Sequence, residues 1–289
     1  MSASFACIAG EEICRQWNAG RIAGERIGPR GTPFGSSGEL YLIESDGHEM
    51  YLLPRHGLGL SKTAPRRINS RANLYALKDL GVQTVLAWGP GGAVTHNIAV
   101  GDLVILDDLI DRTYLRDKTF FEDKPLGFLR QFPVFCPTLR RVLAEVLHEM
   151  KLVYHATGTA AVCEGPRLET PAEIRMLGTV GAEVVTHTFV PEAFLAKELQ
   201  MCYAALCYVV NYAETGSRHR PLAVGDLFGG LTQASDADRL AGAVGAMSRI
   251  AANVAAALPE HAPGCECAAS MAGNVREFDL PDDWRKWFE

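Results

Sequence analysis

The sequence lacks several features that would place it in a specialised class of protein. Its 289 residues contain no run of basic side chains, and the formal net charge is -6 at pH 7, which argues against a nucleic-acid-binding surface. No apolar stretch approaches the ~20 residues of a membrane span, and the start MSASFACIAG has no basic, long-apolar leader. Repeats and low-complexity segments are also missing. These absences predict a cytoplasmic globular protein that binds neither nucleic acid nor membrane.

Metal-ligand spacing is missing as well. Most of the eight cysteines stand in apolar contexts, where a reduced thiol behaves as a small hydrophobic group. Cys265 and Cys267 form a tight Cys-x-Cys without a second Cys/His pair at the spacing of a zinc site. The histidines are scattered. We therefore predict no metal and no cofactor, and the Cys-x-Cys is either an ordinary tail segment or a redox or stapling element.

What the chain does contain is an alternation of strand-like and helix-like apolar segments. With 48% hydrophobic and 21% charged residues, it has an ordinary globular composition. Phe5 to Ala9, Val82 to Ala87 and Met201 to Asn211 are typical of buried strands, and Pro137 to Met150 of an amphipathic helix. A hairpin is predicted around Asp46-Gly47. This pattern predicts an α/β fold with a mixed central sheet flanked by helices.

The remaining segments give further local predictions. The stretch WGPGGAV, residues 88–94, favours a glycine-rich turn at which backbone can approach a ligand. Leu152 to Val162 predicts one strand, Asp236 to Leu258 one long helix, and Tyr114 to Phe135 a long surface loop. The chain is expected to be a single domain over residues 1–289, with its core at about 5–258 and a tail at 259–289.

The most closely organised stretch runs from Cys163 to Glu198. Thr170, Pro171 and Glu173 have the pattern of a capping box that starts a helix. A short buried strand, 182–186, follows, and Pro191-Glu192 opens a second helix. Polar or ligand-facing residues therefore flank a strand whose carboxyl end is where open α/β sheets tend to bind ligands. These residues are Leu168, Glu169, His187 and Thr188.

The segments GPRLETPAEIRM and GAEVVTHTFVPEAFLAKE resemble the signature of the purine nucleoside phosphorylases and methylthioadenosine phosphorylases, the trimeric branch of the nucleoside phosphorylase family. The resemblance runs from Phe5 to about Leu258. It implies a phosphorylase/hydrolase-like fold, a homotrimer, and a pentosyltransferase (a glycosyltransferase) of purine salvage. Its partners would be a purine nucleoside and phosphate, with phosphate as co-substrate.

Two side chains carry the prediction of base recognition and catalysis. A 6-oxopurine offers N1–H as donor and O6 as acceptor, and its N7 must gain a proton when the glycosidic bond breaks. Glu169 can accept from N1–H, while Asn211 can accept from N7–H and donate to O6. This pair is similar to that of the 6-oxopurine-specific phosphorylases; the methylthioadenosine enzymes place Asp at the positions aligned with Asn211 and Ala213. Leu168 and Ala213 are expected beside the base. Local roles remain the alternative: a turn for Asn211 and helix capping for Glu169.

The resemblance also implies a set of phosphate contacts. Arg55 and His56 match a phosphate-contacting pair, and a guanidinium can hold two oxyanion oxygens while an imidazole donates to a third. Gly89 and Pro90 match a turn that donates backbone amides, and Thr188 aligns with a hydroxyl that touches phosphate. His187 stands where relatives have a Met under the ribose, and Phe132 is a candidate lid residue contributed to a neighbouring subunit.

The phosphate loop departs from the family pattern. Glu11 replaces a hydroxyl residue, and Pro90 has no amide hydrogen to donate. Glu11 is therefore either a group that weakens phosphate binding, a base that activates water, or the cap of a following helix. Three functions stay open: a 6-oxopurine-preferring phosphorylase of nucleosides or 5′-methylthionucleosides, a nucleoside hydrolase on the same scaffold, and a catalytically impaired protein that binds a purine-like or other flat ligand.

Overall fold

The computed structural model describes residues 4–18, 20–58, 63–213, 234–258 and 264–289. The strands in these ranges are β1 (Phe5–Ala9), β2 (Gly24–Gly28), β3 (Gly31–Thr32), β4 (Gly35–Ser36), β5 (Leu40–Ser45), β6 (His48–Pro54), β7 (Thr84–Ala93), β8 (Leu103–Ile105), β9 (Asp108–Arg112), β10 (Tyr154–His155), β11 (Thr159–Cys163), β12 (Val184–Thr186) and β13 (Cys202–Tyr212). The α-helices are α1 (Glu11–Asn18), α2 (Ser70–Asp79), α3 (Pro137–Glu149), α4 (Pro171–Thr179), α5 (Glu192–Glu198), α6 (Ala234–Gly245), α7 (Met247–Ala257) and α8 (Ala272–Glu277).

A mixed sheet of eleven strands organises the molecule, in the order β10-β8-β13-β7-β1-β6-β5-β2. Strands β13, β7, β1 and β6 are mutually parallel, whereas β5 pairs antiparallel with β6 and β2, and β8 pairs antiparallel with β13. Beyond this path, β12 pairs antiparallel with the end of β7 and continues to β11 and β9. The prediction of an α/β fold with a mixed central sheet is confirmed. Because β13, β7 and β1 are parallel, their carboxyl ends meet at one edge.

The two faces of the sheet carry separate apolar layers, as alternation along β1 shows. Ala6 and Ile8 belong to a cluster that includes α2 and α5, while Phe5, Cys7 and Ala9 belong to a cluster with α3 and α7. Side chains at successive strand positions point to opposite faces, so five consecutive apolar residues mark a strand covered on both sides. The sheet is thus the middle layer of a three-layer sandwich.

Local sequence signals gave several elements correctly. The hairpin turns at Asp46 and Gly47, both with positive φ (51° and 80°), as expected of a two-residue turn between twisted strands. Thr170 and Glu173 form the predicted capping box at the start of α4. The hydroxyl accepts from the Glu173 amide and the Glu173 carboxylate accepts from the Thr170 amide, so two otherwise unsatisfied donors are paired.

Three predicted elements differ in extent. Leu152 to Val162 forms two strands that pair with different neighbours, β10 with β8 and β11 with β9. Between them lies Gly158, where a Cβ would lie 2.4 Å from Val104 Cγ1. The long helix predicted for Asp236 to Leu258 is broken at Ala246 into α6 and α7. Residues 88–93 of the predicted glycine turn continue β7 as a strand, which is a correction with consequences for the site.

The segment Asp236–Ala257 is, by length and composition, one helical stretch that could cross a membrane, with 22 residues at a mean hydropathy of 1.3. In the structure its second half packs on the sheet instead. Met247, Ile250 and Val254 are at most 1% exposed and share a cluster with α3. The apolar character of this second half is therefore accounted for by burial within the protein.

The tail from residue 264 onward packs on the domain. Trp284 lies 4.9 Å from Tyr75 and Phe288 lies 5.4 Å from Phe121, measured between ring centroids. Trp287 is 4% exposed. Aromatic side chains buried to this degree dominate the energetics of a core, so these last residues contribute to the core that the sequence predicted to end at about 258.

Candidate active site

A cavity of about 450 Å³ opens where β7, β12 and β13 end. Its wall comes from segments far apart in the sequence: the β1–α1 junction, the residues after β6, the second half of β7, the start of α4, and the ends of β12 and β13. The predicted site residues that line it are His56, Pro90, Leu168, Glu169, His187, Thr188, Asn211 and Ala213. The fold therefore brings together residues from the predicted base, sugar and phosphate groups.

Glycines in the second half of β7 leave room for side chains from its neighbours. A Cβ at Gly91 would lie 2.5 Å from Cys207 Sγ, and a Cβ at Gly92 would lie 2.7 Å from Asn211 Oδ1. These distances are shorter than any Cβ contact allows. The glycines are therefore required by close approach of neighbouring atoms within a sheet, which is the reason this stretch is a strand and not the predicted turn.

A β-bulge determines where the Asn211 side chain lies. Val209 pairs with Gly91 and Asn211 pairs with Gly92, so Val210 is an extra residue on β13. A bulge of this kind bends the strand and redirects the side chains that follow it. Asn211, Val210 and Ala213 all line the cavity. Asn211 therefore does not form a turn at the strand end. It pairs with Gly92 within the sheet, and it lines the cavity.

Glu169 and His187 form a pair in the cavity wall. His187 Nε2 lies 3.3 Å from Glu169 Oε1, and the Glu169 side chain is 9% exposed. Burial opposes ionisation of this carboxyl, but the hydrogen bond and charge of His187, with a hydrogen bond from Cys163, hold its pKa below the usual value. Burial and the negative charge of Glu169 raise the pKa of the Cys163 thiol to about 12. Glu169 is therefore a carboxylate at neutral pH and acts as a hydrogen-bond acceptor.

Hydroxyl, imidazole and backbone groups make further hydrogen bonds around the cavity. Thr186 Oγ1 donates to Pro90 O at 2.7 Å and accepts from Thr188 N, which fixes the loop that presents Thr188. The His56 ring nitrogen Nδ1 lies 2.7 Å from Thr63 O. Gly10, directly before α1, also lines the cavity. An α-helix N-terminus with its free amides favours an anion at this place.

Arg55 is not among the residues that line the cavity, and its predicted contact with phosphate stays a prediction. Its Nε and Nη2 donate to the two carboxylate oxygens of Glu192 at 2.8 and 2.9 Å, and Nη1 donates to Trp88 O at 2.7 Å. The Arg55 side chain is 2% exposed. Tyr203 donates to the same carboxylate. Because the guanidinium is occupied by buried partners, it acts as a link between β6, α5 and β13.

Two other predicted residues, Gly89 and Phe132, are not among the residues that line the cavity. Gly89 faces Thr188, since a Cβ there would lie 2.7 Å from Thr188 Cγ2, so it makes room for that residue. Phe132 is 93% exposed on the surface loop. Glu11 is the first residue of α1, but its side chain, like the loop 214–233, lies outside the described residues.

Sequence reasoning missed several residues of the wall. Glu12 and Tyr208 line the cavity, as does Thr186. Tyr208 lies within a continuous apolar strand, where its position relative to the cavity depends on the pairing of β13 with β7. Glu12 follows Glu11 in α1, and the sequence does not show which positions of that helix face the cavity. The single available signal was that both acids stand at the predicted phosphate loop.

We expect Gly92→Ala to impair the site more than the fold. The new Cβ would overlap Asn211 Oδ1 and lie 3.1 Å from Ala213 Cβ, so the amide must shift; overpacking of this kind costs roughly 1–3 kcal/mol. Steady-state kinetics should show a lower kcat/KM for a purine nucleoside. Gly242→Ala, an exposed position in α6 with nothing within 4 Å of the added Cβ, is the control and should leave the kinetics unchanged. Equal kinetics in both variants would contradict the close approach of Asn211 to β7.

Comparison with known proteins agrees with this geometry. Residues 19–258 match the family model described as "Phosphorylase superfamily". A protein of Thermococcus kodakarensis named "Probable 6-oxopurine nucleoside phosphorylase" is 43% identical over 189 residues, covering 63% of this chain and 70% of that protein. A Methanothermobacter thermautotrophicus protein named "Probable S-methyl-5'-thioinosine phosphorylase" is 40% identical over 207 residues, covering 71% and 70%.

A solved structure extends the likeness to the whole fold. The crystal structure of a methylthioadenosine phosphorylase from an antarctic soil metagenomic library superposes with a TM-score of 0.79 at 25% identity, covering 93% of this chain and 91% of that one. The resemblance found in the sequence is confirmed by both comparisons. The family model alone spans most of the chain. The chain therefore belongs to the phosphorylase superfamily.

Proposed function

We propose that this protein is a purine nucleoside phosphorylase that prefers 6-oxopurines and acts on nucleosides or 5′-methylthionucleosides. It transfers the pentosyl group from the nucleoside to phosphate and releases the free base. The observation that carries the proposal is the presence of Glu169 and Asn211 in the wall of one cavity. An ionised carboxylate and an amide in the same wall match the donors and acceptors of a 6-oxopurine.

The reaction needs the base to leave while the sugar gains positive charge. Asn211 accepts the hydrogen bond from N7–H that forms as N7 is protonated, so it acts more strongly on the transition state than on the substrate. Glu169 accepts from N1–H and keeps the base in the matching orientation. His187, whose Nε2 lies 3.3 Å from Glu169 Oε1, would contact the sugar, and the phosphate anion stabilises the oxocarbenium-like carbon that it attacks.

Phosphate would bind at the end of the cavity near Gly10, His56 and Thr188, with its charge facing the N-terminus of α1. Glu12 lines the same cavity. A carboxylate a few ångström from a phosphate dianion would be unfavourable by roughly 1–4 kcal/mol, depending on the local dielectric. The proposal therefore predicts weak phosphate binding, with base release that still depends on phosphate.

Base release with and without phosphate tests the function. Inosine and methylthioinosine are incubated with the protein, and free hypoxanthine is measured by coupled oxidation. We expect release only with phosphate, and a lower KM for phosphate in Glu12→Gln, because the variant removes the opposing charge. Glu25→Gln, an exposed residue of β2, is the matched control and should not change KM. Release without phosphate would establish a hydrolase, and no release under either condition would establish a binding protein.

The Glu169–His187 pair gives a pH prediction. Because the pKa of Glu169 lies below its usual value of 4.5, the carboxylate persists on acidification, and kcat/KM should fall only as the pH drops through that lowered pKa. His187→Gln removes the hydrogen bond and charge that lower it, so the acidic limb of the pH profile should move to higher pH. His155→Gln, whose partner Asp102 lies outside the cavity wall, is the control. An unmoved acidic limb in His187→Gln would contradict the pairing.

The assembly and compartment stay predictions. We propose a homotrimer in which Phe132 completes a neighbour's cavity. The exposure of Phe132 and of Phe128, 93% and 86% on one loop, supports this, since large apolar side chains exposed together are typical of interaction surfaces. The cytoplasm stays the predicted compartment, purine salvage the predicted process, and phosphate the predicted co-substrate, with no further cofactor in catalysis.

A further inference from the structure

Four cysteines from three distant parts of the chain meet on the side of the sheet opposite the cavity edge. The Sγ atoms of Cys136, Cys202, Cys265 and Cys267 all lie within 4.8 Å of one another, and Cys202 Sγ lies 3.4 Å from Cys265 Sγ. In the sequence, Cys265 and Cys267 have no second pair at the spacing of a zinc site, but the fold brings one beside them from positions 136 and 202.

The spacing of these sulfur atoms fits a tetrahedral metal site. Zinc binds thiolates at about 2.3 Å, which places the four sulfurs of a tetrahedron about 3.8 Å from one another. The four sulfurs, all within 4.8 Å of one another, approach this arrangement. Soft thiolate ligands in a tetrahedral set select zinc over harder divalent cations.

The start of α3 favours a thiolate at one of the four positions. Cys136 is the N-cap of α3, and its sulfur accepts from the amide of Leu139 at 3.5 Å. A backbone amide at a helix N-terminus stabilises a negatively charged sulfur.

The tail is held at the cluster by contacts that do not involve sulfur. Gln200 Nε2 donates to Ala268 O, and Ser270 Oγ donates to Lys197 O at 2.6 Å. These bonds fix residues 268–270 against the turn between α5 and β13. The position of Cys265 and Cys267 beside Cys202 is therefore supported independently of any bond between the cysteines.

We propose that Cys136, Cys202, Cys265 and Cys267 bind one Zn²⁺ in a structural tetrathiolate site. Binding replaces the four thiol protons with four Zn–S bonds and releases those protons to solvent, with no change of oxidation state. The ion joins the tail to the start of α3 and to the start of β13.

The site should affect stability and not catalysis. Cys202 begins β13, while Asn211 lies nine positions further along the same strand, which corresponds to about 30 Å at 3.3 Å per residue. A closed site with four protein ligands has no open position for substrate. Loss of the ion should therefore loosen the tail while the cavity keeps its geometry.

Metal analysis of the purified full-length protein tests the proposal. Protein expressed with zinc and purified under reducing conditions is examined by inductively coupled plasma mass spectrometry, by X-ray absorption at the zinc edge, and after replacement with Co²⁺. We expect about one zinc per chain with four sulfur ligands near 2.3 Å, and the visible absorption of tetrahedral cobalt thiolate. The double variant Cys265→Ser/Cys267→Ser should contain no zinc and unfold at a lower temperature, with an unchanged rate of base release.

Cys7→Ala is the control, because Cys7 is buried in β1 and outside the cluster; it should keep its zinc. Zinc at the same stoichiometry in the double variant would overturn the proposal, since the ion would then lie elsewhere. Protein free of zinc whose mass is lower by four hydrogens, with two disulfides among these cysteines, would also overturn it and make the cluster a redox staple. Protein free of zinc with four reduced thiols would overturn it as well.

Discussion

Replacing Asn211 with Ala is expected to lower kcat/KM for inosine by at least about 30-fold while the protein stays folded. The amide would make two hydrogen bonds to the base, at N7–H and O6, and each lost bond to a buried partner costs roughly 1–3 kcal/mol. A factor of ten in rate corresponds to about 1.4 kcal/mol. The side chain faces the cavity beside a bulge, so its truncation removes little packing. Steady-state kinetics and a melting curve measure the two effects separately.

The companion variant Asn211→Asp tests which base is preferred. A protonated Asp presents a donor and an acceptor in an arrangement that differs from that of the amide, so the preference for inosine over adenosine should narrow or invert. Asn97→Ala, at an exposed loop position outside the cavity, serves as the control for both variants. Equal turnover of inosine and adenosine by the parent protein would refute the proposed base recognition.

Replacing Arg55 with Met should have the largest effect on stability of any single change considered. It leaves the Glu192 carboxylate, 4% exposed, with Tyr203 as its remaining partner. Breaking a buried ion pair by removing one member typically costs about 3–5 kcal/mol. Urea denaturation should show a lower free energy of unfolding, and the double variant Arg55→Met/Glu192→Gln should recover part of it, because the uncompensated charge is then gone.

Arg26 provides the matched control. It also forms a two-bond pair with a carboxylate, that of Glu39, with both distances at 2.8 Å, but its side chain is 64% exposed. An exposed pair is screened by water, so Arg26→Met should change stability far less. The predicted contact of Arg55 with phosphate leads to a different result. If Arg55 contacts phosphate, Arg55→Met would raise KM for phosphate and leave the free energy of unfolding nearly unchanged.

The features that the sequence predicted are those that depend on neighbouring residues. The capping box of Thr170 and Glu173 and the turn at Asp46-Gly47 are written within a few positions, and the structure contains both. The partners of Arg55 could not be read in this way, because Glu192 lies 137 positions away. The cysteine cluster was missed for the same reason: its members meet only through the sheet and the tail.

The glycines of β7 show a different limit. A Gly-Pro-Gly-Gly run usually marks a turn, yet here the missing side chains serve an extended strand whose neighbours supply Cys207 and Asn211. No local pattern distinguishes the two cases. Resemblance to a family identified the residues around the cavity, while the bulge that places Asn211 and the inward position of Glu12 required coordinates.

The bare half of β7 also has a consequence for how base choice can evolve. Positions 91 and 92 tolerate no side chain, since any Cβ there would overlap Cys207 or Asn211. Substitutions at these two positions should therefore be selected against. Asn211 and Ala213 line the cavity. A substitution at either position would change which base fits without disturbing the pairing of β13 with β7. Substitutions that change the substrate of related proteins should therefore accumulate at the end of β13, while the glycines of β7 stay the same.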